Sequence, residues 1–256
     1  MTGNLNGIYV IWLRDVKKFF RDKPRMIGAT VQPALYLLLL GTGLSRGLSP
    51  LRQGSGGGSD NYLHFIFPGI IAMTLLFTSV FSAISIVWDR EVGFLKEVLV
   101  APISRWAVAV GKTVGGSTVA MFQGCLMLVF APLIHLSLSW VTVAALIPAM
   151  FFISFTLTAM GIVIASRMRS MQGFTLITNF IMLPMFFLSG AMFPTDNLPP
   201  WMSLLVILDP LTYGVDLLRN IILSAGPHSY LLCLNILALF GATMIVFAIN
   251  GFSKTE

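Results

Sequence analysis

The sequence predicts an all-α integral membrane protein with six transmembrane helices, an N-terminal interfacial amphipathic helix and a re-entrant helical hairpin before the last span. Three observations lead to this fold class. Of the 256 residues, 56% are hydrophobic and only 10% are charged, whereas soluble domains carry roughly 25% charged residues. The mean hydropathy is +0.87. Several apolar stretches are long enough to cross ~30 Å of hydrocarbon. A soluble fold is therefore excluded, and so is a disordered chain, which would be poor in apolar residues.

The first 25 residues predict an amphipathic helix that lies in the plane of the membrane interface. They are too polar to span a bilayer, and they lack the pattern of a signal peptide. Apolar residues recur at three- and four-residue spacing from Leu5 to Phe20, which places them on one helical face. We expect that face in the acyl boundary and the basic side chains toward anionic headgroups, with Pro24 ending the helix. The residues predicted to act here are Trp12, Arg14, Lys17, Lys18 and Arg21.

Six spans follow, and the distribution of basic residues predicts their orientation. The spans cover about 26–44, 62–87, 110–134, 141–165, 173–193 and 229–250. The termini and loops assigned to the cytoplasm hold all of the 16 Lys and Arg residues except Arg46, Arg52 and Arg219. Because Lys and Arg are enriched in cytoplasmic loops, both termini are predicted to face the cytoplasm. Residues 1–256 are interpreted as a single transmembrane domain.

The outer segment 194–228 predicts a hairpin of two short helices. Pro199 and Pro200 precede an apolar stretch that ends at Asp209 and Pro210, and a second stretch follows over 211–223. Each stretch is too short to cross the membrane. We expect both to dip into the outer leaflet, where the backbone must be satisfied as a helix or against protein.

The cytoplasmic segment 89–105 predicts a densely charged amphipathic helix. Apolar and charged residues alternate in it at helical spacing, and Pro102 ends the pattern. Two interpretations follow from the residues alone. The helix could lie on the membrane surface, or it could be a docking helix for a cytosolic partner.

The motifs of most catalytic sites are absent from the sequence. It contains no HExxH motif, no GxSxG motif and no set of His, Cys or carboxylate residues with metal-ligand spacing. Gly111-Lys112-Thr113 resembles the end of a phosphate-binding loop, but Trp106 occupies the position of its first glycine. Lys112 is instead expected to extend to the inner membrane surface. We predict no catalytic residue, no metal site and no nucleotide site in this chain.

The interior of the spans favours a path for an amphipathic or lipid-like molecule. None of the six predicted spans has a charged residue near its centre, whereas proton- and ion-coupled transporters usually carry such residues. Gly111 and Gly115 form a GxxxG pair, which is typical of close helix contacts. The net charge of +6 follows from the cytoplasmic segments, so no nucleic-acid partner is expected.

Three separated motifs, in the same order, resemble the ABC-2 type membrane permeases, the transmembrane subunits of bacterial and archaeal ATP-driven exporters. They are similar to that family's opening helix and first span, its charged helix after the second span, and its hairpin before the last span. The forms LSGAMFP and DPLTY look most like the drug-resistance branch. The matching segments are 12–22 with Gln32-Pro33, 89–105 (DREVGFLKEVLVAPISR), 188–194 (LSGAMFP), 199–201 (PPW), 209–213 (DPLTY) and 217–219 (LLR).

This resemblance implies partners and site residues. A second permease chain, identical or a sister, would pair with this one, and two copies of a cytosolic ABC ATPase would bind ATP and Mg; the chain itself would hold no cofactor. The implied ATPase-docking residues are Arg90, Glu91, Gly93, Phe94, Lys96, Glu97, Pro102 and Arg105, with the interfacial helix as a second contact. The implied outer-gate residues are Pro194, Trp201, Asp209, Pro210, Tyr213 and Arg219, and Asp216 is expected to form an exposed pair with Arg219.

The expected function is therefore ATP-driven export of a lipophilic or amphipathic molecule, such as a drug or a lipid, by a multi-pass protein of a prokaryotic plasma (inner) membrane. One alternative is a permease for a lipid-linked polysaccharide or a teichoic-acid-type polymer. A second alternative, from another class, is a membrane scaffold or flippase that needs no nucleotide. An intramembrane enzyme would need a nucleophile–base pair, and the sequence offers no candidate for one.

Overall fold

The computed structural model describes residues 2–48, 59–92, 104–195 and 198–253. These residues form ten α-helices and one short 3-10 helix, Ala131–Ile134, and they contain no β-strand. The all-α membrane fold class predicted from the sequence is confirmed. The α-helices are α1 (Thr2–Arg21), α2 (Lys23–Leu48), α3 (Ser59–Ser82), α4 (Ile84–Glu91), α5 (Arg105–Leu128), α6 (Trp140–Arg167), α7 (Met171–Leu188), α8 (Pro200–Leu208), α9 (Pro210–Leu223) and α10 (Tyr230–Ser253).

Four stretches of the described residues are both long and apolar enough to cross a membrane. They are Tyr62–Glu91, Trp140–Arg167, Met171–Leu188 and Tyr230–Gly251, and the bent pair of α8 and α9 would be a fifth if it counted as one span. The apolar part of α2 is shorter, Met26–Leu39. α5 is less apolar because it carries Lys112, Gln123, four Gly residues and three Ser or Thr residues. The count of six spans therefore stays a prediction.

Helices α3 and α6 form the centre of the bundle. In the apolar windows of Tyr62–Glu91 and Trp140–Arg167, 67% and 61% of the residues are buried, against 22% in α7 and in α10. Lipid is as apolar as leucine, so membrane helices associate through close packing that small residues permit. Gly161 of α6 illustrates this, because a Cβ atom there would lie 3.0 Å from the backbone of Val80 in α3.

Several predicted helix boundaries differ from the structure. The predicted spans 110–134 and 173–193 end earlier, with α5 ending at Leu128 and α7 at Leu188. The N-terminal helix ends at Arg21, and Pro24 lies in the first turn of α2 instead of ending α1. Proline is tolerated in a first turn because the backbone N–H there has no helical partner. The second predicted span, 62–87, is interrupted at Ala83, where α3 ends and α4 begins.

The segment after α7 forms a hairpin in which α8 and α9 meet at an angle of 77°. Asp209 lies at the bend, and its Oδ1 accepts a hydrogen bond from the N–H of Leu211 over 2.8 Å, which caps α9. The hydroxyls of Thr212 and Tyr213 donate to the carbonyls of Val206 and Ile207, each over 3.0 Å. These carbonyls lie in the last turn of α8, where the regular helical partners run out; the carbonyl of Val206 also accepts from the N–H of Asp209 over 3.3 Å. The polar residues after the bend therefore satisfy both helix ends.

Candidate functional site

Charged side chains of α1, α4 and α5 meet in a cluster that we call the charged junction, made of Arg14, Asp15, Ser85, Asp89 and Lys112. Lys112 Nζ lies 3.4 Å from Asp15 Oδ1 and 3.4 Å from Asp89 Oδ2, and it donates to Ser85 Oγ over 2.9 Å. Arg14 Nη2 donates to Asp89 Oδ2 over 3.0 Å, and Arg14 Nε lies 3.6 Å from Asp15 Oδ1. Two cations therefore face two anions at the place where the three helices touch.

Lys112 is buried in this cluster, with 7% of its surface exposed. The sequence-based prediction that it extends to the membrane surface is wrong. Burying an ammonium group is tolerated only where other groups replace its hydration, and here two carboxylates and a hydroxyl do so. The charges in the junction cancel, and this neutrality offsets part of the cost of burying them.

Glycine residues of α5 allow α1 to approach closely enough to complete the junction. A Cβ atom at Gly111 would lie 3.2 Å from Ile11 Cβ, and one at Gly115 would lie 3.2 Å from Asp15 Cβ. Trp12 Nε1 donates to Thr118 Oγ1 over 3.1 Å on the same face. The GxxxG pair therefore makes a helix contact, as predicted. Part of the α1 face expected in lipid, including Phe19, packs against protein instead.

The last two residues of α4 contact the two helix ends that flank the turn 168–170, which we call the α6–α7 turn. Arg90 Nη2 donates to the carbonyl of Ser166 over 2.9 Å, and Arg90 Nη1 donates to the carbonyl of Met168. Glu91 Oε1 accepts a hydrogen bond from the N–H of Met171 over 3.0 Å. A cation thus lies at the C-terminus of α6 and an anion at the N-terminus of α7. This arrangement is the one that the helix dipoles favour.

A cavity of about 330 Å³ lies beside the charged junction, between α1, α4, α5 and the start of α7. This volume lies at the lower end of the range for small-molecule sites. Its lining contains both polar and apolar side chains. The polar lining includes Asp15, Lys18, Ser82 and Ser85, and the apolar lining includes Phe19, Ile84, Trp88, Val119 and Met171.

A second group of charged residues lies in the hairpin and consists of Asp216, Arg219 and His228. Asp216 Oδ1 lies 3.4 Å from Arg219 Nη1, and Asp216 Oδ2 lies 2.6 Å from His228 Nδ1. Arg219 Nη2 donates to the carbonyl of Gly190 over 2.9 Å, and its guanidinium carbon lies 4.2 Å from the ring centre of Phe65. The predicted pair of Asp216 and Arg219 is therefore present. It is buried and not exposed as expected, with Asp216 2% and Arg219 5% exposed.

The remaining predicted site residues lie at different depths. On α1, Lys17, Lys18 and Arg21 are exposed. Arg105 begins α5. In the hairpin region, Pro194 and Trp201 are exposed, whereas Asp209, Pro210 and Tyr213 are buried. Gly93, Phe94, Lys96, Glu97 and Pro102 lie outside the described residues. Among the described residues, no three His, Cys, Asp or Glu side chains are grouped so that they could hold a metal ion.

Sequence reasoning missed the acidic members of the charged junction. Asp15 lies in the predicted interfacial helix and Asp89 begins the predicted cytoplasmic helix, and each is next to an arginine, a pattern typical of a charged helix face. A useful signal is the presence of Lys112 inside a stretch otherwise apolar enough to be a span. A buried cation needs carboxylates, and the neighbouring helices α1 and α4 supply them as Asp15 and Asp89.

Comparison with known proteins identifies the class of this bundle. Residues 6–223 match the ABC-2 type transporter family. The match covers most of the chain and includes α1, the charged junction, the α6–α7 turn and the hairpin. The chain therefore belongs to the ABC-2 type transporter family, and it is a transporter permease.

The relatives of this chain include two proteins named as permeases and one named as a nodulation protein. YbhR of Escherichia coli (strain K12), named a probable multidrug ABC transporter permease, is 27% identical over 164 residues, which are 64% of this chain and 45% of YbhR. The transport permease ycf38 of Cyanophora paradoxa is 29% identical over 212 residues, 80% of this chain and 71% of its own. Nodulation protein J of Rhizobium leguminosarum bv. viciae is 24% identical over 242 residues, 93% of this chain and 90% of its own.

Proposed function

We propose that this chain is the permease subunit of an ATP-driven exporter that moves a lipophilic or amphipathic molecule out of the cytoplasm or the inner leaflet. The observation that carries the proposal is the match to the ABC-2 type transporter family over residues 6–223. The name of YbhR, a multidrug permease, supports a drug-like substrate. The cavity beside the charged junction supports an amphipathic one, because it offers polar and apolar walls to the same molecule.

The energy source in this proposal is a separate ABC ATPase, present in two copies, that binds ATP and Mg. A second permease chain completes the complex. The ATPase docks on the segment 89–105, with Phe94, Lys96 and Glu97 as contact residues, and touches α1 through its exposed basic residues. The excess of Lys and Arg in the segments assigned to the cytoplasm supports this side for docking. The membrane is the plasma (inner) membrane of a prokaryote.

A pull-down of the tagged chain in a mild detergent from its native membranes tests the proposal. We expect a stoichiometric ATPase subunit to co-purify and to hydrolyse ATP. Changing both Lys96 and Glu97 to Ala should remove it, whereas changing Lys254 to Ala, a basic residue outside the docking segment, should not. A chain that purifies without any ATPase, even after crosslinking, would contradict the proposal and favour a nucleotide-independent flippase or scaffold.

The substrate class is tested in proteoliposomes that contain the purified complex. A fluorescent lipophilic cation and a lipid-linked glycan serve as the two probes. ATP-dependent movement of the first probe is the expected result. Movement of the glycan alone would replace the lipophilic substrate by a polymer precursor while leaving the exporter assignment in place.

A further inference from the structure

Arg90 and Glu91 are adjacent residues with complementary tasks at the α6–α7 turn. Arg90 donates two hydrogen bonds to the carbonyls of Ser166 and Met168, at the C-terminus of α6. Glu91 accepts one from the N–H of Met171, the first residue of α7. The ends of helices carry backbone groups without helical partners. The last residues of α4 therefore cap two helices that are distant from them in sequence.

The same end of α4 is also fixed to the other side of the bundle. Asp89 accepts from Arg14 of α1 over 3.0 Å and lies 3.4 Å from Lys112 of α5. The chain leaves α4 after Glu91 and returns at Arg105, the first residue of α5. The α4 end of this connection is thus held from two sides, by the charged junction and by the α6–α7 turn, and the junction also includes Lys112 of α5, the helix to which the chain returns.

We propose that Arg90 and Glu91 are positioning residues that join the α4–α5 connection and the α6–α7 turn into one mechanical unit. This proposal rests on the proposed function, in which an ATPase pushes or pulls on the α4–α5 connection. Displacement of that connection then moves α6 and α7 together with α4 and α5. Arg90 and Glu91 act on coupling through the helix ends that they cap, and not through contact with the ATPase.

The conservative variant Glu91→Gln separates positioning from docking by charge. Glutamine keeps an oxygen that can accept from the N–H of Met171, but it removes the negative charge. A charge contact to an ATPase would be lost in Glu91→Gln and in Glu91→Ala alike. A cap on α7 would be lost in Glu91→Ala and largely kept in Glu91→Gln. Arg90→Lys and Arg90→Met form a parallel pair. Lysine keeps the positive charge but lacks the forked guanidinium group that reaches two carbonyls, and methionine removes both.

Hydrogen exchange of the full-length chain in lipid nanodiscs measures the cap without any ATPase. In Glu91→Ala, we expect the amide of Met171 to exchange about tenfold faster, as loss of a hydrogen bond to a charged group allows. Glu91→Gln should restore most of the protection. Arg169→Met is the matched control, because it removes an exposed charge of the same turn that makes neither of these caps. Unchanged exchange at Met171 in Glu91→Ala overturns the proposal.

Coupling is measured on the complex obtained in the pull-down. In Glu91→Ala and Arg90→Met, the ATPase should remain bound while substrate transported per ATP falls, and Glu91→Gln should rescue the ratio. Loss of the bound ATPase in Glu91→Gln and Glu91→Ala alike would overturn the proposal in favour of direct docking. If no ATPase co-purifies with the wild-type chain although Met171 responds as expected, the proposed function fails and the coupling role fails with it, while the caps themselves stand.

Discussion

Replacing Lys112 by methionine is expected to destabilise the bundle by about 3 kcal/mol, the lower end of the range for breaking a buried ion pair. Methionine has a similar length but no charge. It removes two ion-pair contacts of 3.4 Å and a hydrogen bond of 2.9 Å to Ser85. Asp15 and Asp89 would then share a single cation, Arg14, whose side chain is 38% exposed. That remaining cation is the reason for choosing the lower end.

A second substitution tests whether charge balance is the cause. In the double variant of Lys112→Met with Asp89→Asn, one cation again faces one anion. Replacing both members of a buried pair by neutral groups costs far less than removing one member. We therefore expect the double variant to be more stable than the sum of the two single effects by about 1–3 kcal/mol.

Reversible unfolding of the purified chain in mixed micelles, followed by circular dichroism during titration with a denaturing detergent, gives the free energies. Lys17→Met is the matched control, because Lys17 is exposed on α1 and surface substitutions usually change stability by less than about 0.5 kcal/mol. A Lys112→Met variant as stable as the control would refute the reasoning. Strict additivity of the two single effects in the double variant would also refute it, because Lys112 and Asp89 would then not interact.

Two further predictions use the same unfolding assay. Gly69→Ala should destabilise the chain by about 1–3 kcal/mol, because a Cβ atom there would lie 2.8 Å from backbone carbon atoms of Ala191. Gly43→Ala is the control, since a Cβ atom there has no neighbour within 4 Å, and it should change stability by less than about 1 kcal/mol. Equal effects at both sites would contradict the packing argument. Arg219→Met should destabilise by about 3 kcal/mol, because it removes the guanidinium that lies 3.4 Å from Asp216 Oδ1 and the hydrogen bond of 2.9 Å to the carbonyl of Gly190, while Asp216 keeps its contact with His228. Faster hydrogen exchange near Gly190 should accompany the loss. An unfolding curve equal to that of the unchanged chain would show that Arg219 does not hold the hairpin.

The fold class could be predicted because it depends on local properties of the chain. Hydropathy, helical periodicity and proline positions are all contained in short stretches, so they predict an all-α membrane protein and the bend at Asp209. The partners of Lys112 could not be predicted in this way. Asp15 is 97 residues away along the chain, and their contact depends on how α1 packs on Gly111 and Gly115. When a single span is considered alone, the membrane surface is the only place where the ammonium group of a lysine can be hydrated, so the sequence predicts that Lys112 extends to that surface.

The capping contacts of Arg90 and Glu91 could not be predicted for a different reason. Their partners are backbone groups of residues 166, 168 and 171, and every non-proline residue carries such groups. A backbone group that serves as a hydrogen-bond partner therefore leaves no signature in the sequence. The family resemblance implies an external partner, the ATPase, for Arg90 and Glu91, and the structure shows internal hydrogen-bond partners for both.

The order of Asp89, Arg90 and Glu91 follows from the geometry of a helix end. Successive residues of an α-helix project about 100° apart, so three consecutive side chains face three different directions. Asp89 meets the cations of α1 and α5, Arg90 meets the C-terminus of α6, and Glu91 meets the N-terminus of α7. Each charge has the sign that its own neighbour requires. Exchanging Arg90 with Glu91 would preserve the composition and net charge of the segment, but it would place a carboxylate against carbonyls and a guanidinium against an N–H. The internal contacts therefore require arginine at position 90 and glutamate at position 91. A charged docking surface, in contrast, would tolerate the exchange of these two residues.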